Sequence, residues 1–145
     1  MTGMTAGTKT ATGATTGETT KRATGIALRA GLAIALAASG VDHAYLYVDG
    51  YRSVPVVGFG FLAQASVFCA LALLIAVGGP DWLVWAAGVL ALGALGAFAL
   101  SRTVGLFGFV EQGWEPAPHP AISVATEAVT VALCLAWVLR RRKAA

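Results

Sequence analysis

Four stretches of the chain are apolar at most positions, and most of the charge lies between or beyond them. They cover about residues 26–47, 55–77, 82–103 and 121–139, and the second holds no Asp, Glu, Lys or Arg. A helix needs roughly 20 predominantly apolar residues to cross the hydrocarbon of a bilayer, and each stretch has that length. The pattern predicts an all-α polytopic membrane protein, an antiparallel bundle of four transmembrane helices. The turn Gly78-Gly79-Pro80-Asp81 separates the second span from the third. Residues 1–25 are almost wholly Thr, Gly and Ala without an aromatic residue, which predicts a disordered tail, and 140–145 form a short basic tail.

Composition strengthens this reading. Of 145 residues 57% are hydrophobic and 12% charged, and the mean hydropathy of +0.75 is that of a chain whose solvent is lipid. The net charge of +3 invites a nucleic-acid reading that the placement of the cations removes. Lys9, Lys21, Arg22 and Arg29 precede or open the first span, and Arg140, Arg141, Arg142 and Lys143 follow the last. Cations flanking spans set topology, so both termini are expected on the cytoplasmic side of the cell membrane. Lys21-Arg22 before Ala35-Leu36-Ala37 has elements of a secretory leader, but the apolar run continues into aromatic residues and is read as an uncleaved span. Tyr45, Tyr47, Tyr51 and Trp114 would form an outer aromatic belt, and Trp82, Trp85 and Trp137 an inner one.

Association of helices in lipid relies on small residues that let backbones approach. Gly31, Ala35, Ala38 and Asp42 on the first span, Ala63, Ser66 and Ala70 on the second, and Gly93, Ala97 and Ser101 on the third have helical spacing and predict contact faces. Such faces also allow a homo-oligomer or a membrane-protein partner.

Ionisable residues within spans are costly and are functional candidates by default. Glu127 is the clearest, on a polar stripe with Ser123, Thr130 and Cys134 that must face protein. Asp42, His43, Gln64, Arg102 and Glu127 fall in the outer half, where Arg102 is expected to pair with Glu127 or Asp42 while Gln64 and His43 supply hydrogen bonds. The cluster reads either as internal glue or as an outward pocket for a proton or ligand. His43, Asp49, Glu111, Glu115 and His119 are possible outer-face ligands for zinc or copper, but short ligand spacing is lacking. Haem between His43 and His119 would sit unusually shallow. Gly105–Val110 is apolar enough to cap the bundle, and Glu115-Pro-Ala-Pro-His-Pro120 predicts an extended strip over the outer mouth. Cys69 and Cys134 read as apolar packers. No motif for catalysis, phosphate or dinucleotide binding is present, so no cofactor is assigned.

The run from Arg29 through Gly40, the Gly-containing second span and the short Gly-Gly-Pro turn resemble the layout of the DoxX-like family of small four-helix membrane proteins. His43-Ala-Tyr-Leu-Tyr47, Gly50-Tyr-Arg-Ser-Val-Pro55 and Ser101-Arg-Thr-Val-Gly-Leu-Phe-Gly-Phe109 also resemble uncharacterised small membrane proteins of high-GC actinobacteria. The resemblance implies a cytoplasmic membrane and no assigned chemistry, and it carries no residue roles across. The expected function is a non-enzymatic membrane component or accessory subunit. The alternatives are a proton or small-cation transporter working as an oligomer, and an outward metal or haem binder. In intact cells, an impermeant thiol reagent should label Asp49→Cys and Glu115→Cys but not Asp81→Cys or Ala144→Cys; labelling of Asp81→Cys from outside would invert the topology.

Overall fold

The computed structural model describes residues 11–143, with side chains from residue 17 onward. Four helices and one 3-10 turn follow in order: α1 Ala11–Asp49, the turn Tyr51–Ser53, α2 Val57–Ala76, α3 Trp82–Ser101 and α4 His119–Arg142. All four helices are long and apolar enough to cross a membrane, and the described residues contain no strand.

Helix α1 begins fifteen residues before Ile26, so residues 11–25 are helical where a disordered tail was expected, and residues 1–10 lie outside the described residues. Once the apolar part has nucleated a helix, each added residue costs little, and no proline stops propagation toward the N-terminus. Its 39 residues reach about 58 Å at 1.5 Å per residue, well beyond a hydrocarbon core of about 30 Å. Helix α4 starts two residues before Ala121, with Pro120 in the first turn, where a missing N–H costs no intrahelical bond.

Helix α1 packs against α2 and α4, α4 packs against α3, and α2 and α3 barely touch. The core joins Leu32 and Leu36 of α1 to Phe68, Leu71 and Ile75 of α2, Leu83, Val84 and Ala87 of α3, and Cys134 and Trp137 of α4. The α1–α2 contact is closest at Gly40, where an added Cβ would lie 2.7 Å from Cys69 Sγ and 3.2 Å from the Ala65 carbonyl oxygen.

The small-residue faces expected from spacing are only partly used. Ala35 is buried and Gly31 lies against Leu133, but Ala38, Ser66, Ala70 and Gly93 are exposed. A spacing of three or four residues fits more than one face of a helix, and the faces that turn inward carry the larger Leu, Phe and Ile side chains. Two of the expected belt aromatics, Tyr51 and Trp137, are likewise buried.

One end of the molecule carries the α2–α3 turn together with the last residues of α4, and is called here the tail end; the other carries the α1–α2 and α3–α4 connections and is the loop end. At the tail end Arg29 donates to the Gly79 carbonyl (2.7 Å) and to Asp81 (2.8 Å), and Arg141 reaches the second Asp81 oxygen at 2.6 Å. The guanidinium groups of Arg29, Arg140 and Arg141 surround the Trp137 ring at 4.9–5.5 Å, which ties α1, α4 and the turn together.

Replacing Gly40 by Ala should lower the thermal midpoint in detergent, at a cost of about 1–3 kcal/mol, because the Cβ meets a backbone carbonyl as well as a side chain. Gly93→Ala, which meets nothing within 4 Å, should leave the midpoint unchanged or raise it slightly. Equal midpoints for Gly40→Ala and the parent would contradict the close α1–α2 approach.

Candidate functional site

The stripe Ser123, Glu127, Thr130 and Cys134 on α4 faces inward, and all four side chains are buried. Glu127, 2% exposed, accepts a hydrogen bond from Gln64 Nε2 of α2 at 2.7 Å. His43 of α1 faces the same carboxylate, with Nε2 3.8 Å from Oε1, beyond hydrogen-bond reach. The Ser39 carbonyl lies 2.8 Å from His43 Nδ1 and can only accept, so Nδ1 carries the hydrogen and Nε2 of the neutral ring is an acceptor turned toward Glu127. Phe61 packs on the His43 ring at 5.2 Å.

One residue earlier on α1, Asp42 points to a different neighbourhood, because successive helical residues diverge by about 100°. Its two oxygens are taken by Ser123 Oγ at 2.8 Å and His119 Nδ1 at 2.6 Å, and Tyr45 stacks on His119 with centroids 4.6 Å apart. Ser, His and Asp are the residue types of a hydrolase triad, but here both Ser123 and His119 donate to the carboxylate. No base rests on the Ser123 oxygen, so the arrangement does not activate it.

The third group belongs to the connections. Arg102, at the end of α3, pairs with Glu111 at 3.0 Å and donates to the carbonyls of Gly113 (2.5 Å) and Glu115 (3.3 Å). The Tyr51 hydroxyl donates to Glu111, and its ring stacks on Phe61 at 4.5 Å with Phe109 edge-on at 6.0 Å. Phe109 is held by a two-residue turn in which Leu106 and Phe109 exchange backbone hydrogen bonds of 2.8 and 2.9 Å. Phe107 and Gly108 occupy that turn with φ of 51° and 81°, both in the left-handed region. Burial, then the adjacent Glu111 carboxylate, pushes the Tyr51 phenol well above its ordinary pKa.

These side chains enclose a cavity of about 90 Å³ at the loop end. His43, Gln64, Ser123 and Glu127 form its floor, and Tyr51, Arg102, Leu106, Phe109 and Glu111 its upper wall. Of the five residues expected to cluster, His43, Gln64, Arg102 and Glu127 line this cavity and Asp42 stands beside it, bound to Ser123. Arg102 pairs with neither Glu127 nor Asp42. Glu111 lies within reach on the α3–α4 connection, while each of the other carboxylates already has a nearer donor on its own or a facing helix.

The possible outer-face ligands do not gather. His43 faces Glu127, His119 holds Asp42, Glu111 holds Arg102, Glu115 accepts the Ala117 N–H at 2.9 Å, and Asp49 is exposed at the end of α1. Among the described residues no group of three or more His, Cys, Asp or Glu side chains could hold a metal ion. The proline strip is a turn rather than extended: the His119 N–H bonds to the Pro116 carbonyl at 3.1 Å, and a proline φ near −65° suits turns as well as extended chain. Two elements of the site escape sequence reading, the Tyr51–Glu111 bond and the use of Ser123 by Asp42. Their partners are 60 and 81 residues apart, and no local pattern signals such pairings.

No known family, curated protein or solved structure matches this chain.

A raised phenol pKa makes the alkaline limb of stability diagnostic. Below about pH 10 the protonated phenol of Tyr51 is present in both folded and unfolded chains; above it the unfolded chain loses the proton first, so stability falls as pH rises. Chemical denaturation between pH 9 and 11 should show a shallower decline for Tyr51→Phe than for the parent, and parallel declines would remove the Tyr51–Glu111 contact from the folded state.

Proposed function

We propose that this chain is a multi-pass component of the cell membrane that works by binding a small polar group rather than by catalysis. In this reading the helices form an antiparallel bundle with both termini in the cytoplasm, and the loop end faces outward. The division of charge supports that orientation: arginines crowd the tail end, whereas Asp42, Asp49, Glu111, Glu115 and Glu127 lie toward the loop end against only Arg52 and Arg102.

The observation that carries the binding reading is the placement of Glu127. Desolvating a carboxyl group costs several kcal/mol, so a carboxylate used only as internal glue is expected to be enclosed by donors. Glu127 instead has the Gln64 amide on one oxygen and open cavity beside it, with a second acceptor, His43 Nε2, turned to the same space. Two acceptors and a void suit a ligand that brings its own donors. Beneath the cavity Leu32, Leu36, Phe68, Ile75 and Val84 fill the interior, so a single chain is better suited to a one-ended pocket than to a conducting path. The exposed small residues Ser66, Ala70 and Gly93 leave faces for a second copy or a membrane partner.

The test is chemical access to the carboxyl group. Dicyclohexylcarbodiimide, an apolar reagent to which a carboxylate adds with uptake of a proton, should modify Glu127 in vesicles, as read by peptide mass spectrometry, and the adduct should vanish in Glu127→Gln. If Glu127 stays unmodified while exposed Glu115 reacts, the pocket is closed and this reading is lost.

A further inference from the structure

Helices α2 and α3 are joined by only five residues, Val77 to Asp81, and yet they barely touch. Between them lies a groove of about 470 Å³ whose walls include Ala63, Val67 and Phe68 on α2 and Leu90, Gly93 and Ala97 on α3. It runs about 12 Å along α3, from Val89 to Ala97, in the middle of both helices. Small side chains on α3 leave this space unfilled: an added Cβ at Gly93 meets nothing within 4 Å. The groove does not end blindly. Gln64, Ala94 and Ala97 line both it and the cavity of Glu127, so an apolar trough on the flank of the molecule adjoins a polar chamber inside it.

We infer that groove and cavity together bind a neutral amphiphile, with a small hydroxylated head beside Glu127 and a single acyl tail between α2 and α3. This rests on the reading of the cavity as a binding pocket. The middle of a spanning helix is flanked by hydrocarbon, so a molecule reaching the groove arrives through lipid and must carry an apolar tail. The chemistry of the chamber selects the head. Glu127 and His43 Nε2 are acceptors and call for hydroxyl donors. Arg102 Nε is buried without a partner and calls for an acceptor such as an ester carbonyl. A phosphate is disfavoured, because the Arg102 charge is already matched by Glu111 at 3.0 Å and Glu127 adds a further carboxylate. At about 10–15 Å³ of such space per water, 90 Å³ holds about six to nine water-sized groups, enough for a glyceryl head.

The full chain in lipid vesicles, irradiated with a monoacylglycerol that carries a diazirine in its acyl chain, tests this by peptide mass spectrometry. Adducts should concentrate on residues 62–68 and 89–97. Unlabelled monoacylglycerol should compete, whereas the methyl ester of the same acid and a phosphate-headed lysolipid should not. Ala97→Trp, which fills the junction of groove and chamber, and Gly93→Leu, which fills the groove, should each lower labelling about tenfold, the loss expected when the head no longer reaches a charged acceptor. Val129→Trp on the exposed face of α4 should not. Adducts spread evenly over the four helices, equal competition by the methyl ester, or undiminished labelling in both helical-content-matched α3 variants would overturn the inference. If carbodiimide modifies Glu127 but photolabelling is unfocused, the amphiphile is excluded and the pocket stands; if Glu127 is not modified either, the pocket reading falls with it.

Discussion

Everything at the loop end depends on how closely α1 sits between α2 and α4. In lipid there is little hydrophobic gain from bringing helices together, so contact is driven by packing and by polar groups that cannot be left unpaired. Gly40 allows the backbones of α1 and α2 to approach, with the Ala65 carbonyl where a side chain would otherwise be. Next to that contact α1 turns His43 toward Glu127, and Asp42 toward Ser123 and His119. Loosening α1 would leave the buried Asp42 carboxylate without the Ser123 and His119 donors that hold it, at a cost of several kcal/mol. The polar side chains are therefore a consequence of the packing and also a reason for its specificity.

The two ends solve different problems. At the tail end three arginines surround one tryptophan and two of them, Arg29 and Arg141, share Asp81, a cluster rich in charge that closes over the last turn of α4. At the loop end Tyr51, Phe61 and Phe109 form an aromatic wall, pinned by the bond from Tyr51 to Glu111 and by the ion pair from Arg102. The polar side chains of the second end enclose a void. That void exists because α3 presents Ala94, Ala97 and Ser101 to it, side chains too short to reach Glu127.

The same shortage of side-chain volume on α3 explains the groove beside α2. Ridges on one helix normally fill grooves on the next, but Gly93, Ala94 and Ala97 offer almost no ridge. Helix α3 is held instead through α4, where Cys134 lies against Gly88 and its Sγ is 3.2 Å from the Val84 carbonyl oxygen. A helix fastened on one side and open on the other gives this small molecule a flank where space inside the protein meets space outside it.

What the chain's own sequence determined is local. Lengths of apolar sequence placed four helices, the Gly-Gly-Pro turn placed one break, and the spacing of Ser123, Glu127, Thr130 and Cys134 marked the buried face of α4, because helix geometry converts residue spacing directly into a shared face. Where spacing fits two faces equally it failed: Ala38, Ser66 and Ala70 have the same rhythm as the residues that are buried, and only the bulk of Leu32, Phe68 and Ile75 selects between them. The extent of α1 beyond Ile26 was also illegible, since Thr, Gly and Ala give no periodic signal and follow a helix already begun. Tertiary structure alone decided which charge meets which. Arg102 could have served Glu127, Asp42 or Glu111, and the choice depends on where the α3–α4 connection carries Glu111 relative to the end of α3. Coulomb attraction acts over distances that sequence separation does not encode, so pairs such as Tyr51 with Glu111, Ser123 with Asp42 and Gln64 with Glu127 come into being only when the helices are assembled.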